Sequence, residues 1–381
     1  MSKRDDILHL RVDQVGSLLR PKSLIDAFLA FGLGKITHEA LDGEIDKAVR
    51  AVVAKQEAIG FPIVTDGEFA RLSWQVSFAH VEGWELETFS WKGFVANPSM
   101  KYEGEKGNTL GADAVEVFKT PATGPLRLKD NVPLAEYRRL KAVAHRPGKA
   151  MIMGPDRVSQ MCDIEKSKPH YMTSNAFLSD VVRIQSEMVG QLIDEGCPYV
   201  QLDEPSYTGY VDRATLERIK ARGEDPMANL RRAIDASNGV IAPHAGKAVF
   251  GLHVCRGNRS SMWHREGTYD GIAEMMFGGL KFDRLLLEYD TSRAGGFEPL
   301  RFVPKGTTVV LGLVTTKTGD VETVDALLRR IEEASRFIDA RQLAISPQCG
   351  FASGIAGNDL AEDAQWRKME VLVETARRAW G

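Results

Sequence analysis

The feature that most constrains the fold is a recurring pair of segments, a short apolar run followed by a stretch with helical periodicity. Eight apolar runs occur, at residues 11–16, 61–65, 150–153, 199–202, 249–253, 284–287, 308–314 and 343–346. Helical periodicity is clearest over residues 41–59, 177–195, 324–339 and 361–380. Alternating strands and helices favour a parallel sheet, and eight such units predict a (β/α)8 TIM barrel. We expect residues 1–381 to form this one domain.

Polar or glycine residues follow every one of the eight runs, for example Ser17 after the first, Glu68 after the second and Asp203 after the fourth. In a TIM barrel the active site lies at the C-terminal ends of the strands. A doubly wound sheet is not expected to carry polar residues at the end of all eight strands. The pattern therefore predicts both the barrel and the position of its site.

One connection is far longer than a typical loop between a strand and a helix. Residues 69–149 separate the second run from the third, and they include several tryptophans and a stretch rich in Gly, Lys and Glu. We interpret them as an insertion after the second strand, a small β-hairpin lid with one helix on the functional face of the barrel. A passive elaboration without a role at the site is an equally open alternative.

The composition excludes some classes of function. A net charge of −3 gives no electrostatic footprint for nucleic acid or an anionic membrane. No run of about 18 apolar residues is present, and the start of the sequence is charged where a signal peptide needs an apolar segment, so we expect a cytoplasmic protein. Four cysteines are too few for a disulfide framework in a chain of this length. The sequence leaves the oligomeric state open.

The densest chemical signal is GLHVCRGN at the end of the fifth run. Residues two apart on a strand face the same way, so His253 and Cys255 project together, and imidazole beside thiolate is a zinc-binding pair. Glu288 ends the sixth run and Cys349 the eighth. Together these four supply the N, S and O donors that tetrahedral Zn²⁺ prefers, and the thiolates argue against magnesium or calcium. Cys162 and Cys197 are interpreted as ordinary packed or loop thiols.

This ligand set predicts the chemistry. Two thiolates and a carboxylate place three negative charges on the ion, which makes it a poor activator of water and argues against a hydrolase. Such a zinc ion can instead bind an incoming thiol, lower its pKa below the free value of about 8.5 and keep it as a nucleophile. The glutamate is the ligand most easily displaced by the arriving sulfur. The residues therefore predict the alkylation of a thiol.

An ordered set of motifs resembles the catalytic barrel of cobalamin-independent methionine synthase. The motifs are VGS at 15–17, DGE at 66–68, QLDEP at 201–205, HVC at 253–255, Glu288 in LLLEYD and Cys349 in SPQCGF. The resemblance implies a zinc enzyme that transfers a methyl group from 5-methyltetrahydrofolate to homocysteine. It implies that the zinc ligands are His253, Cys255, Glu288 and Cys349. It also implies that Ser17, Glu68 and Asp203 hold the amino acid portion of homocysteine, which suits a hydroxyl for the carboxylate and two carboxylates for the ammonium.

The sequence departs from the main branch of that family. Full-length members have two barrels, and only the C-terminal one is matched. Val314 or Thr315 stands where the family has a proton-donating histidine, and GPDRVSQMCDIE at 154–165 replaces a tryptophan-containing segment implicated in pterin contact. His80, His244 and His264 are candidates to replace that histidine. Longer phrases such as LEYDTSRAGGFEPLRF are more similar to a short, single-barrel branch, to which epoxyalkane:coenzyme M transferases are similar.

Three functions remain open from the sequence. The first is methyl transfer from 5-methyltetrahydrofolate or another methyl donor to homocysteine, giving methionine, and the ammonium-binding character of Glu68 and Asp203 favours it. The second is alkyl transfer to a thiol such as coenzyme M, whose sulfonate would need an arginine. Four arginines follow strand ends: Arg71, Arg157, Arg256 and Arg293. The third is a zinc-bearing binding protein without catalysis. All three involve small molecules as partners.

Overall fold

The computed structural model describes residues 3–84, 95 and 119–381. The strands of these residues are β1 (Val81–Glu82), β2 (Arg127–Leu128), β3 (Lys149–Met153), β4 (Tyr199–Asp203), β5 (Val249–Val254), β6 (Arg284–Glu288), β7 (Thr308–Val314) and β8 (Leu343–Pro347). The strands β3 to β8 form one parallel sheet in chain order. All six are buried along their whole length. The six corresponding apolar runs are confirmed as strands.

The α-helices of the described residues lie before, between and after these strands. They are α1 (Lys3–Leu8), α2 (Lys22–Gly32), α3 (His38–Ala58), α4 (Val132–Lys141), α5 (Pro155–Gln160), α6 (Ile164–Ser167), α7 (Ser174–Asp194), α8 (Arg213–Ala221), α9 (Pro226–Ile241), α10 (Ala273–Gly279), α11 (Val324–Ser335) and α12 (Glu362–Trp380). Short 3-10 helices occur at Trp74–Phe78, Pro205–Tyr210, Ala242–His244, Tyr269–Gly271, Ser292–Ala294, Glu298–Phe302 and Ala340–Gln342.

The prediction of full strands at residues 11–16 and 61–65 is wrong in extent. These segments form only isolated parallel bridges, one between Val12 and Ile345 of β8 and one between Val64 and Gly148 just before β3. The reason is that side chains take the backbone groups that a ladder would use. Gln201 donates to the carbonyl of Val15 at 2.9 Å, and further side chains do the same, namely Gln14 to Ile63, Thr65 to Gly16 and Lys149 to Gln14.

These two segments nevertheless close the sheet into a ring. The first lies beside β8 and the second beside β3, so they sit at the two edges of the six-stranded sheet. They join each other through the backbone N–H of Leu18, which donates to the carbonyl of Gly67 at 3.1 Å, and through the side chains of Gln14 and Thr65, which donate to Ile63 and Gly16 respectively. The chain is therefore a (β/α)8 TIM barrel, as predicted.

The helices form because amphipathic segments are capped at their starts. Thr37 accepts a hydrogen bond from the backbone of Ala40 at the start of α3, and Thr173 does the same at the start of α7. The buried residues of α3 recur at three- and four-residue spacing, which turns one stripe of the helix toward the barrel. The predicted helices are confirmed within a few residues, except that α11 ends at Ser335, four residues before the predicted end.

The described parts of the insertion belong to the body of the barrel. The strands β1 and β2 form a small antiparallel pair, and α4 packs on β3, α3 and α7 like a barrel helix. Trp84 is fully buried against Phe78 and Phe177, and its indole N–H donates to the carbonyl of Thr120 at 2.9 Å. The central part of the predicted lid, residues 85–94 and 96–118, lies outside the described residues. The lid therefore stays a prediction.

A buried ionic network lies at the opposite end of the barrel from the site. The carboxylate of Asp13 accepts hydrogen bonds from Lys149 at 2.8 Å, Tyr199 at 2.9 Å and Arg284 at 3.1 Å, and the side chains of Asp13, Lys149 and Arg284 are fully buried. One carboxylate thus compensates two cations in the barrel interior.

Among the described residues, no helix is both long and apolar enough to cross a bilayer.

Candidate active site

A cavity opens at the C-terminal ends of the barrel strands, where the sequence predicted the site. Its walls include six of the seven predicted site residues: Ser17, Glu68, Asp203, His253, Cys255 and Cys349. They come from both short edge segments and from the ends of β4, β5 and β8. The seventh, Glu288, is the last residue of β6 and is not part of the cavity wall.

Three of the four predicted zinc ligands lie together. One ligand atom each of His253, Cys255 and Cys349 falls within 4.8 Å of the others, and all three residues are buried. His253 and Cys255 share one face of β5 because they are two residues apart, and Cys349 reaches them from the end of β8. Both ring nitrogens of His253 are buried without a hydrogen-bond partner among the described residues. Orphaned imidazole nitrogens beside two sulfurs fit a zinc ion.

The ionisation of this cluster also suits a metal. A hydrogen bond from Cys349 and the neighbouring His253 lower the pKa of Cys255 well below its ordinary value. The same pairing with Cys255 raises the pKa of the Cys349 thiol. Burial lowers the pKa of His253, but the neighbouring Cys255 and the charges of Asp203 and Glu288 outweigh it and the net shift is upward. Without a metal the cluster therefore holds protons that a zinc ion must displace.

Glu288, the fourth predicted ligand, stands apart from the group of three. Its Oε2 accepts the backbone N–H of Arg256 at 2.8 Å, and Arg293 lies 3.5 Å from Oε1. Burial raises the pKa of Glu288, but the charges of Lys317 and Arg256 outweigh it and the net pKa is lowered. Glu288 is thus a fully buried carboxylate already held by other groups, and a role as ligand would require it to exchange those contacts.

The predicted amino acid site is acidic and buried. Glu68 is 2% exposed, and burial raises its pKa to about 8, while the nearby charge of Arg71 opposes the shift. Its backbone has a φ of 58°, an unusual value for a residue other than glycine, which is stabilised by a hydrogen bond from its N–H to Asp66 at 3.0 Å. Burial raises the pKa of Asp203 to about 6, and Gln201 donates to this carboxylate at 2.7 Å. The two acids line the same cavity.

The four arginines that follow strand ends have different surroundings. Arg71 forms a bidentate pair with Glu136, Arg256 donates to the carbonyl of Gly267, and Arg293 stacks on Trp263. Arg157 lines the cavity, and its Nη1 is buried without a hydrogen-bond partner in the described part of the chain. A further cavity arginine, Arg265, was missed in the sequence because it lies in a loop ten residues beyond the HVC motif and carries no motif of its own.

The three candidate histidines separate clearly. His80 is half exposed and lies 3.4 Å from Asp130, and His244 contacts Ser186; neither lines the cavity. His264 does line it, and burial together with the charges of Arg265 and Arg157 lowers its pKa to about 3. His264 is therefore a neutral imidazole at physiological pH.

Comparison with known proteins agrees with this geometry. A model of the family described as "Cobalamin-independent synthase, Catalytic domain" matches residues 117–372. The chain belongs to this family. The family's barrel accounts for the sheet described above, and the residues that the match covers include the whole group of His253, Cys255 and Cys349.

Individual relatives extend over nearly the whole chain. YxjG, an uncharacterized protein of Bacillus subtilis (strain 168), is 36% identical over 374 residues, which cover 97% of this chain and 94% of that protein. A methionine synthase of Pyrococcus abyssi is 26% identical over 88% of this chain and 84% of its own length. The crystal structure of a putative vitamin-B12 independent methionine synthase from Listeria monocytogenes has a TM-score of 0.74 at 27% identity and covers 98% of both chains.

Proposed function

We propose that this protein is a zinc-dependent methyltransferase that methylates the thiol of homocysteine to give methionine. The observation that carries the proposal is the buried group of His253, Cys255 and Cys349 at the C-terminal end of the barrel, with both nitrogens of the imidazole unpartnered among the described residues. The methionine synthase relatives support the choice of reaction. We propose a cytoplasmic location for it, in keeping with two small-molecule substrates.

In this proposal His253, Cys255 and Cys349 hold the zinc ion, and Glu288 is the exchangeable fourth ligand. A zinc ion in such a donor set lowers the pKa of an incoming thiol and keeps it nucleophilic at neutral pH. The other cavity residues orient the substrate: Glu68 and Asp203 accept hydrogen bonds from its ammonium group, and the hydroxyl of Ser17 donates to its carboxylate. Glu68 must lose its proton to do so, because its pKa is about 8.

A second candidate is alkyl transfer to a sulfonate thiol of the coenzyme M type. One observation favours it, the guanidinium of Arg157 on the cavity wall. The two acids Glu68 and Asp203 favour an ammonium group instead, which coenzyme M lacks. The methyl donor for homocysteine, 5-methyltetrahydrofolate or another molecule, is left open in the proposal.

The first test combines metal content with thiol binding. Purified protein should carry about one zinc per chain, and homocysteine should release about one proton more than methionine when it binds, whereas coenzyme M should release none. Cys349→Ala should lose the metal and the proton of the thiol, that is, the proton release of homocysteine in excess of that of methionine, while Cys197→Ala is the matched control because this buried thiol lies outside the group of three and outside the cavity wall. A wild-type protein without zinc, or an excess of proton release by homocysteine over methionine that survives in Cys349→Ala, contradicts the mechanism.

The second test separates the catalytic proposal from a zinc-bearing binding protein. The zinc-loaded protein is incubated with homocysteine and several methyl donors, 5-methyltetrahydrofolate among them, and methionine is measured. Turnover with any donor supports the methyltransferase. Proton release without methionine formation from any donor supports the binding protein, and an alkylated coenzyme M as the preferred product supports the second candidate.

A further inference from the structure

A second part of the cavity wall is basic and lies away from the two acids. Arg157 lies in α5, the short helix that follows β3, and Arg265 in the loop after β5 donates to the carbonyl of Pro205 beyond β4 at 2.6 Å. Both line the cavity together with His264. Arg157 is 7% exposed, and no hydrogen bond joins its guanidinium to another described residue. A buried guanidinium without an acceptor is costly unless a ligand or water supplies one.

The two acids whose charges act on Arg157 already accept other hydrogen bonds, and those of Asp156 come from the side chains of Gln160 and Tyr210. The carboxylate of Glu204 accepts hydrogen bonds from the backbone N–H groups of Asp156 and Arg157 and from the hydroxyl of Ser206. Burial and the charge of Asp156 raise the pKa of Glu204 to about 8, so at neutral pH its charge compensates that of Arg157 only in part.

The electrostatics show an excess of positive charge at this wall. Burial lowers the pKa of His264 first, and the charges of Arg265, Arg157, Arg259 and Lys317 lower it further. A histidine whose largest charge effects all come from cations lies in a region where an anion would be stabilised. Burial and the neighbouring charge of Arg265 also lower the pKa of Arg157 to about 10.

This basic wall is distinct from the amino acid site. The charges that act on Arg157 are those of Arg265, Glu204 and Asp156, and neither Glu68 nor Asp203 is among them. Conversely, the charges acting most strongly on Glu68 are those of Arg71, Asp203, Glu136 and Asp66. The cavity thus has two polar regions, one acidic and suited to an ammonium group, and one basic and suited to an anion.

We propose that Arg157, with Arg265 beside it, binds an anionic group of the alkyl donor, that is, a carboxylate, sulfonate or phosphate that stays unchanged during transfer. The proposal rests on the proposed function in one respect, that the cavity takes a thiol and a donor together. The planar guanidinium of Arg157 suits such oxygen pairs because it donates two parallel N–H groups. Arg157 then acts in donor specificity and takes no part in activating the thiol.

The test measures the binding of methanesulfonate to the zinc-loaded full-length protein saturated with homocysteine, by isothermal titration calorimetry. Dimethyl sulfone, a neutral molecule of similar shape, is the ligand control. Wild type should bind methanesulfonate and not the sulfone, and Arg157→Gln should weaken this binding about tenfold or more, since a charge-assisted hydrogen bond is lost. Arg213→Gln is the matched variant, because Arg213 is exposed and pairs with Glu217 on α8, and it should bind like wild type.

The outcomes that overturn the proposal are specific. Equal binding of methanesulfonate by wild type and Arg157→Gln removes the arginine from the site, and no binding by wild type removes the site itself. Weaker homocysteine binding in Arg157→Gln, or competition between homocysteine and methanesulfonate, assigns Arg157 to the carboxylate of the thiol instead. Arg157→Lys, which keeps the charge, should retain part of the methanesulfonate affinity and guards against a folding defect, which thermal melts also detect.

Failure of the proposed function has a different signature. In that case wild-type protein lacks zinc or releases no more protons with homocysteine than with methionine. Methanesulfonate binding is then repeated without the thiol: weaker binding by Arg157→Gln than by wild type supports the anion site, and equal binding overturns it.

Discussion

The ionisation of Glu68 makes the proposed amino acid site testable through pH. Its side chain is buried, and its pKa of about 8 reflects that burial, while Arg71, 3.6 Å away, offsets it only in part because its guanidinium is bound to Glu136. In the free protein at neutral pH Glu68 is therefore mostly the carboxylic acid. If it accepts hydrogen bonds from the ammonium of the substrate as a carboxylate, binding must release its proton.

The size of the effect follows from the two pKa values. Removing the proton from Glu68 costs about 2.7 kcal/mol at pH 6 and about 1.4 kcal/mol at pH 7. The affinity for methionine, which carries the ammonium but no thiol proton, should therefore rise about ninefold over this interval. Asp203, with a pKa of about 6, adds about twofold. Wild type should gain about 17-fold in total, and Glu68→Gln only about twofold.

The assay is isothermal titration calorimetry of methionine into the zinc-loaded protein between pH 6 and 7.5, in buffers with different ionisation enthalpies. At pH 7 wild type should release about one proton per methionine bound, and Glu68→Gln about a tenth of one. Glu217→Gln is the control, since this glutamate is exposed and should not change the pH profile. A wild-type affinity that is independent of pH, or a ninefold rise that persists in Glu68→Gln, refutes the role of Glu68.

Two further predictions concern stability. Asp13→Asn leaves Lys149 and Arg284 buried and charged without a counterion, so it should cost about 3–5 kcal/mol. With an unfolding entropy of about 2.1 cal/mol/K per residue over 381 residues, this cost lowers the melting temperature by about 4–6 °C. The control is Asp26→Asn, because Asp26 is exposed and its loss should change the melting temperature little. Equal melting temperatures for the two variants contradict the argument. Removing zinc with a chelator should lower the melting temperature of wild type but not that of Cys349→Ala, and an equal fall in both places the metal elsewhere.

Much of the fold could be predicted from local sequence patterns. Six apolar runs were placed within a residue or two of β3 to β8, because a strand buried on both faces needs continuous apolar residues whatever surrounds it. The two edge segments were overestimated for a non-local reason. Their backbone groups bond to side chains such as Gln14 and Gln201. Gln201 is 186 positions away from Val15, so the local sequence of the first segment does not indicate this contact.

The candidate site, like the fold, could be predicted from the sequence only in part. The juxtaposition of His253 and Cys255 was predictable from their spacing on one strand, and that of Cys349 from the rule that parallel strands end at one rim. The position of Glu288 was not, because the amide of Arg256 holds its carboxylate and places it outside the group of three. Nor could the sequence distinguish Arg157 from the three other arginines that follow strand ends, since each of the four lies a few residues after the end of its strand.

The sequence by itself determined the barrel, the rim on which its chemistry lies and the residue types that can bind zinc and an amino acid, because all of these depend on strand periodicity and on donor chemistry. Only the tertiary structure decided which charges are neutralised. Arg71 pairs with Glu136, which lies on α4, 65 positions further along the chain. The guanidinium of Arg157 has no hydrogen-bond acceptor among the described residues and lines the cavity. Burial and pairing are properties of the folded environment, so the pKa of Glu68 and the basic wall become visible only there.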